Sequence, residues 1–299
     1  MKRIYIIILL FLFLVTGIST HADAFISDTV PASNLSDAPT YEGSDYIVLQ
    51  DDQPDFDASQ LTITPYVIFS KFDELGRTGV GMACLGPETL PTKARGEIGD
   101  IRPSGWQTIR YDDLIEDRYL YNRTHVIGYL LCGDNATPEN IFTGTRYLNA
   151  GAMLIFESQV ADYIERTSNH VIYRCTPFYI DDNLVASGVQ IEAYSVEDVG
   201  KLRFNVYIFN IQPGIVIDYS TGDSWREGNA SAAGIIERSA PQETEAPKPT
   251  YILNTNTKKF HYPNCSSVKD IKDKNKKEFY GTRDEIISKG YSPCGRCHP

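Results

Sequence analysis

The 299-residue chain has one long apolar run and no second. That run, residues 4–15 behind Met1-Lys2-Arg3, is followed by nothing that could cross a bilayer, which excludes a multi-span membrane protein. It is itself short of the ~20 residues a spanning helix needs, and Ala22-Asp23-Ala24 follows it as an A-x-A cleavage pattern. Residues 1–24 therefore read as a secretory signal peptide cleaved after Ala24, with an uncleaved membrane anchor as the lesser alternative. A positive net charge is also missing. At −11 the chain cannot hold polyanions by bulk electrostatics. There is no internal repeat of the kind an array needs. Cysteine is sparse, six residues in all. Cys84, Cys132 and Cys175 are scattered and read as buried small apolar groups or one bridge; Cys265, Cys294 and Cys297 cluster near the end.

Charge is unevenly spread. Residues 251–299 carry eight Lys and two Arg against three Asp and two Glu, a net +5, which leaves −16 for the rest. An acidic body can still process a polyanion where arginines focus the field at one cleft, and Arg102, Arg110, Arg118, Arg123 and Arg146 fall close together in the sequence.

The length suits one substantial domain and a small one. Residues 25–60, with Pro31, Pro39 and the acidic run Asp51-Asp52-Gln53-Pro54-Asp55, read as an irregular tether. A domain over 61–225 follows. Residues 61–69 and 80–85 are β-rich, and 119–131 is a third strand-like stretch. Asn149 then opens a long helical pattern in which Met153, Phe156, Val160, Tyr163 and Ile164 recur at helical spacing. Three strong strands over 171–180, 185–194 and 202–211, joined by turn residues, predict an antiparallel meander. This order of elements is α+β. Residues 226–250, rich in Ala, Ser, Glu and Pro, read as a linker. Residues 251–299 form a basic module too short to hold a core without a staple.

Three pieces of the 61–225 domain carry chemistry: Asn122-Arg123-Thr124-His125, Asn149 and Glu157. His125, with an ordinary pKa near ~6.5, is neutral and basic at pH 7 and suits a general base. Asn149 offers a neutral amide oxygen, a hard ligand for a Mg2+ ion that keeps most of its waters. On one continuous helix, eight residues place Glu157 about 80° round from Asn149 and ~12 Å along, too far for both to touch one ion. Glu157 is then an acceptor from metal-bound water. Arg123 is placed to steady a phosphate. Each residue has an ordinary reading as well: a satisfied strand histidine, a helix N-cap, a solvated helix glutamate. Their joint order is what favours hydrolysis of a phosphodiester. His170, without a partner motif, reads as structural.

Those pieces also carry a resemblance. The runs Tyr121-Asn122-Arg123-Thr124-His125-Val126-Ile127-Gly128, Asn140-Ile141-Phe142-Thr143-Gly144-Thr145-Arg146-Tyr147-Leu148-Asn149 and Met153-Leu154-Ile155-Phe156-Glu157 resemble the DNA/RNA non-specific endonuclease family. The likeness is strongest to its secreted, streptodornase-like branch and spans roughly residues 61–224. It implies the His-Me finger (ββα-metal) fold, with His125 as general base, Asn149 as Mg2+ ligand, Glu157 in the ion's water shell and Arg123 at the phosphate. It implies DNA and RNA as substrates and 5′-phosphate ends as products. The wider family's Asp-Arg-Gly-His stands here as Asn122-Arg123-Thr124-His125; the base is kept, while substrate preference or loop shape can differ.

In the terminal module, His261 and Cys265 form one close pair, Cys294 and Cys297 another. Four such ligands are the set of a closed, structural Zn2+ site. A disulfide is the alternative in an exported module, but three cysteines leave one over, and a Cys294–Cys297 bridge closes too short a loop to stabilise much. His298 is a substitute fourth ligand. The segment from Lys258-Lys259-Phe260-His261 to Cys294-Gly295-Arg296-Cys297 resembles the Ada-type metal-binding module, with His261 where Cys is usual. Its basic surface suits contact with nucleic acid or an anionic cell wall, or is simply solvated; no obligate protein partner is evident. The reading as a whole is a secreted Mg2+-dependent endonuclease. The alternatives are an exported nucleic-acid-binding or surface protein with a silent nuclease fold, and a membrane-anchored DNA-uptake nuclease.

Overall fold

The structure, a computed structural model, describes residues 24–228, 250–263, 265–280, 283–297 and 299. The expected signal peptide up to residue 23, most of the expected linker (229–249) and His298 lie outside these residues.

Strand β1 (Ala24–Ser27) and β2 (Tyr46–Val48) come first, then β3 (Tyr66–Ser70) and β4 (Gly81–Leu85). The motif region follows as β5 (Tyr121–His125), α1 (Tyr129–Cys132), β6 (Ile141–Thr145), α2 (Arg146–Ala150) and α3 (Ala152–Thr167). The meander is β7 (Val171–Phe178), β8 (Gly188–Ser195) and β9 (Arg203–Phe209). A seven-stranded sheet runs in the order β1-β3-β4-β7-β8-β9-β2, antiparallel except for the parallel β1–β3 pair. The fold is α+β, as expected. A short hairpin, β10 (Ile215–Ile217) with β11 (Ser224–Arg226), was not anticipated from the sequence.

Both faces of the sheet are covered. On one, α3 lays Met153, Phe156, Val160 and Ile164 against Val67, Leu85, Tyr173, Ile191 and Val206. These are the positions whose helical spacing marked them, so the buried stripe follows directly from the 3.6-residue period. On the other face Met82, Cys84 and Ile172 pack under Val30, Phe56 and Leu61. Residues 25–60 are therefore not a tether. They supply two strands of the sheet and the cover for its second face.

A buried ion pair holds that cover. Across β7 and β8, Arg174 stands opposite Glu192, with Nε 2.7 Å from Oε2 and both side chains at most 1% exposed. The Arg174 guanidinium also donates to the carbonyls of Ala32 (3.1 Å) and Asp55 (2.7 Å), and the Asp55 N–H donates to Glu192 at 2.8 Å. Every hydrogen-bond partner is backbone of the 25–60 segment or the facing charge, so no charge is left bare in the interior. Sequence spacing alone carried no sign of this long-range link.

Two local expectations change. The stretch 119–131 is not one strand: β5 stops at His125, and the chain turns through Gly128 into α1. Asn140, fully buried, fixes that turn by accepting from Ile127 N (2.9 Å) and donating to Ile127 O (3.2 Å). The helix expected from Asn149 is two helices, broken at Gly151 (φ −97°, ψ −112°). A Cβ there would run into the Tyr147 carbonyl, so the break needs glycine. Thr145, not Asn149, is the N-cap: its hydroxyl accepts from Leu148 N at 3.0 Å. The separation of Asn149 and Glu157 reckoned along one continuous helix consequently does not apply.

Cys84, Cys132 and Cys175 are free and buried, which decides for buried apolar groups over a bridge. Cys84 faces the second side of the sheet and Cys175 the first. Burial pushes the thiols of Cys84 and Cys132 up to about 12, so they are inert at neutral pH.

The terminal module is a four-stranded sheet in the order β14 (Lys276–Tyr280), β12 (Thr250–Asn254), β13 (Lys259–His261), β15 (Ser292–Pro293), with α4 (Arg283–Ser288) alongside. It has two small cores. Tyr251, Leu253, Phe260 and Ile286 form one, and Ile252, Val268 and Ile271 pack around the cysteines in the other.

Candidate active site and metal centre

His125 is the last residue of β5, held in a two-stranded ribbon opposite Ile141 of β6. It is 5% exposed. One ring nitrogen, Nε2, lies 3.1 Å from the Asn135 carbonyl; the other, Nδ1, lies 3.3 Å from the Arg95 guanidinium. A carbonyl only accepts and a guanidinium only donates. The arrangement therefore assigns the proton to Nε2 and leaves the basic lone pair on Nδ1. Burial, aided by Arg95, lowers the ring's pKa to about 4 against the opposing pull of the Asn135 carbonyl and Asp134. At neutral pH the imidazole is a free base.

Arg95 was not found from the sequence, and neither was Asn135. Arg95 sits on an exposed loop without periodicity, 30 residues before His125, and nothing local singles it out. The fold stitches that loop to the site: Asn135 accepts from Gly96 N at 3.1 Å through its side chain, while Tyr129 donates to the Lys93 carbonyl at 2.6 Å. Asn135 thus orients the histidine with its backbone and the arginine loop with its amide.

Glu157, on the second turn of α3, is 7% exposed. Burial raises its carboxyl to about 8, partly offset by Arg95 and by the Gly128 N–H. Arg95, at hydrogen-bond distance from His125, thus bears electrostatically on Glu157 as well. A Cβ at Gly128 would stand 2.5 Å from Glu157 Oε1, so only glycine lets the turn after β5 close over the carboxylate. Asn149 is half-buried near the end of α2 and has no hydrogen-bond partner among the described residues.

Arg123 has contacts that its place in the motif did not announce. Nε donates to the Ile101 carbonyl (2.7 Å), Nη2 to that of Gly99 (2.6 Å), and the guanidinium stacks on Trp106 at 4.1 Å. It braces the 99–106 loop. Of the arginines expected to focus the field, Arg110 pairs with Asp112 (3.0 Å) and Arg146 with Asp117 (2.5 Å), which cancels much of their charge. His170 is structural: Glu197 accepts from its backbone N–H at 2.7 Å and lies 2.6 Å from its Nδ1.

In the terminal module, one ligand atom from each of His261, Cys265, Cys294 and Cys297 lies within 4.8 Å of the others. Tetrahedral Zn–S bonds of ~2.3 Å imply sulfur–sulfur edges near ~3.8 Å, so the spread suits one ion. All three cysteines are free. His261 is 4% exposed, yet neither ring nitrogen has a hydrogen-bond partner among the described residues. A buried imidazole left so is costly, and metal ligation would relieve it. A hydrogen bond from Cys297 draws the Cys265 thiol down toward thiolate. The four-ligand set expected from spacing is assembled by the fold.

Among solved structures, NucA from Streptococcus agalactiae with no metal bound is 25% identical; the match covers 60% of this chain and 86% of that one, with a TM-score of 0.53. With magnesium ion bound, the same nuclease matches at 25% identity over 60% of this chain and 87% of its own, with a TM-score of 0.54. Sda1 nuclease with bound zinc ion is 25% identical over 52% of this chain and 79% of its own, with a TM-score of 0.46. Residues 62–197 match the model of the family described as DNA/RNA non-specific endonuclease, so this part of the chain is a domain of that kind.

Proposed function

We propose that this chain is a secreted, Mg2+-dependent endonuclease that hydrolyses DNA, with RNA as a second substrate. The observation that carries the reading is a buried base, His125, beside a buried carboxyl, Glu157, with the exposed Arg95 guanidinium 3.3 Å from His125 Nδ1 and acting electrostatically on both. His125 Nδ1 takes the proton of the attacking water as the new P–O bond forms. The 3′ oxygen leaves, and the phosphate stays on the 5′ end. Arg95 stands where a phosphate oxygen beside Nδ1 would meet it, and a guanidinium binds such an oxygen through paired N–H groups. The Asn135 carbonyl stabilises the imidazolium that forms, because it accepts from Nε2–H.

Asn149 would hold the divalent ion and Glu157 its water. An unpartnered amide and a buried carboxylate pushed up to about 8 both fit a cation nearby. Such an ion, when bound, neutralises charge on the phosphate and the leaving oxygen. Magnesium is supported by the bound ion of the matching nuclease. Secretion is supported by the signal-peptide pattern of residues 1–24. No helix among the described residues is long and apolar enough to cross a membrane.

A plasmid-nicking assay against a Mg2+ titration tests the ion's ligand. Asn149→Ala should need far more Mg2+, with little cleavage left at the wild-type optimum, and EDTA should stop the wild type. Unchanged Mg2+ dependence in Asn149→Ala would remove the ligand assignment.

The second metal site is read as structural Zn2+, because four protein ligands leave no open position. The module's eight lysines are all exposed, which suits retention of substrate or of an anionic wall close to the active site. Elemental analysis of the purified protein should find about one zinc per chain, and thiol titration should release Cys265, Cys294 and Cys297 only after chelation. Zinc-free protein with oxidised thiols would show a disulfide instead.

A further inference from the structure

Helix α2 carries Asn149 and has five residues, far below the length at which a helix is stable alone. Its shape must be imposed from outside. At its start the restraints are plain. Asn210 accepts from Thr145 N at 2.8 Å, Gln212 from Tyr147 N at 3.3 Å, and the Tyr147 hydroxyl donates to Asp45 at 2.7 Å. The other end, where Asn149 and Gly151 lie, is met by the metal-binding module. A Cβ at Gly151 would come within 3.7 Å of the Tyr262 hydroxyl.

Tyr262 is built to transmit position. It follows the ligand His261 directly, and its carbonyl accepts from the N–H of the ligand Cys265 at 3.0 Å. Its ring stacks on Tyr251 at 5.7 Å and 27°. The rest of the seat is weak. Arg283 meets Glu116 at 3.1 Å and Arg296 meets Asp162 at 3.9 Å, in partly exposed pairs of the kind worth little. Between α3 and the metal loop a cleft of about 520 Å³ remains open beside Leu154, Gln159 and Arg296. Among the described residues, the Tyr262 hydroxyl is the module atom nearest to where a Cβ at Gly151 would stand.

We propose that Tyr262 is a positioning residue for the nuclease centre: seated against Gly151, it holds the end of α2, and so Asn149, in place. The inference rests on the reading of Asn149 as the ligand of the catalytic ion. It makes the zinc site a part of the active-site scaffold, since the ligand loop fixes where Tyr262 stands.

The test uses the full chain and Mn2+ as probe, with free ion counted by electron paramagnetic resonance and zinc content measured in parallel. Tyr262→Ala with its zinc retained should bind the catalytic Mn2+ roughly 10-fold more weakly, the lower end of what an outer-shell change costs. Its Mg2+ requirement for nicking should rise in step. Tyr262→Phe, which keeps the stack on Tyr251 but removes the hydroxyl that reaches Gly151, should weaken both in the same direction. A merely structural tyrosine would lower the melting temperature and leave Mn2+ affinity alone, and that result overturns the proposal. If Tyr262→Ala loses zinc, Tyr262→Leu, which keeps an apolar contact to Tyr251 but not the reach to Gly151, must show the weakened binding; unchanged affinity there also overturns it. Asn149→Ala separates the two readings. If it still binds Mn2+ as wild type does, the ligand assignment fails, whatever Tyr262 does.

Discussion

His125→Ala should lose about a hundred- to ten-thousandfold of the cleavage rate, the range a positioned general base contributes, while the protein stays folded. The ring is one buried side chain at the end of a two-stranded ribbon, and its removal leaves the seven-stranded sheet untouched. What is lost is specific. On the proposed reading Nδ1 carries the lone pair that would accept the water's proton, and the bond from Nε2 to the Asn135 carbonyl keeps it in that tautomer. Supercoiled plasmid in Mg2+ reads the rate and thermal melting reads the fold. Equal nicking by the variant and the wild type would sink the general-base role. The pH profile is a second measure of the same group. With its pKa lowered to about 4, His125 stays a free base well below the ~6.5 of an ordinary histidine. The rate should therefore hold down to about pH 5 and fall as pH drops through the folded value. Stability follows the same direction. The unfolded chain takes up the proton first, near pH ~6.5, so the contribution of the neutral buried ring is present above that pH and is lost as pH falls toward 4. An acid limb at pH 6.5 would show a ring in water, contrary to the structure.

Arg174→Ala or Glu192→Ala should destabilise the protein by about 3–5 kcal/mol, the usual cost of leaving a buried charge without its partner. That is a large share of the ~5–15 kcal/mol that holds a domain together. The effect reaches beyond the pair, because Arg174 also binds the carbonyls of Ala32 and Asp55, and Glu192 the Asp55 N–H. The segment that covers the second face of the sheet should loosen with it. Urea denaturation measures the first effect, and limited proteolysis between residues 30 and 60 the second. Replacing both charges with apolar residues, Arg174→Met with Glu192→Leu, should recover part of the loss, since no bare charge is then left inside. A single variant with wild-type unfolding and wild-type protease resistance would mean that the pair anchors nothing.

The residues of the candidate sites were legible to different degrees. The two close pairs of the module were readable because metal ligands come in short spacings, and the fold brings His261, Cys265, Cys294 and Cys297 within 4.8 Å of one another. His125 and Glu157 were readable because a strand and a helix keep their residues at fixed intervals. The break at Gly151 was harder to see. The apolar spacing of α3 runs on without a mark, and glycine inside a helical pattern is often tolerated. Only the backbone angles, and the Tyr147 carbonyl in the way of a Cβ, show why the chain must turn there.

The sequence by itself determined the α+β class, the buried stripe of α3, the meander and the two close Cys/His pairs that the fold brings together, because all of these rest on local period and spacing. Tertiary structure alone decided the rest. Arg95 becomes the cation at His125, and Arg123 a brace, through loop contacts that no periodicity encodes. Residues 25–60 become part of the fold because one buried arginine reaches their carbonyls across more than a hundred residues of sequence. Tyr262 meets Gly151 because two separately patterned parts of the chain come to rest on each other. Short-range order is set by the backbone's own repeat, whereas these contacts depend on which surfaces meet after that order has formed.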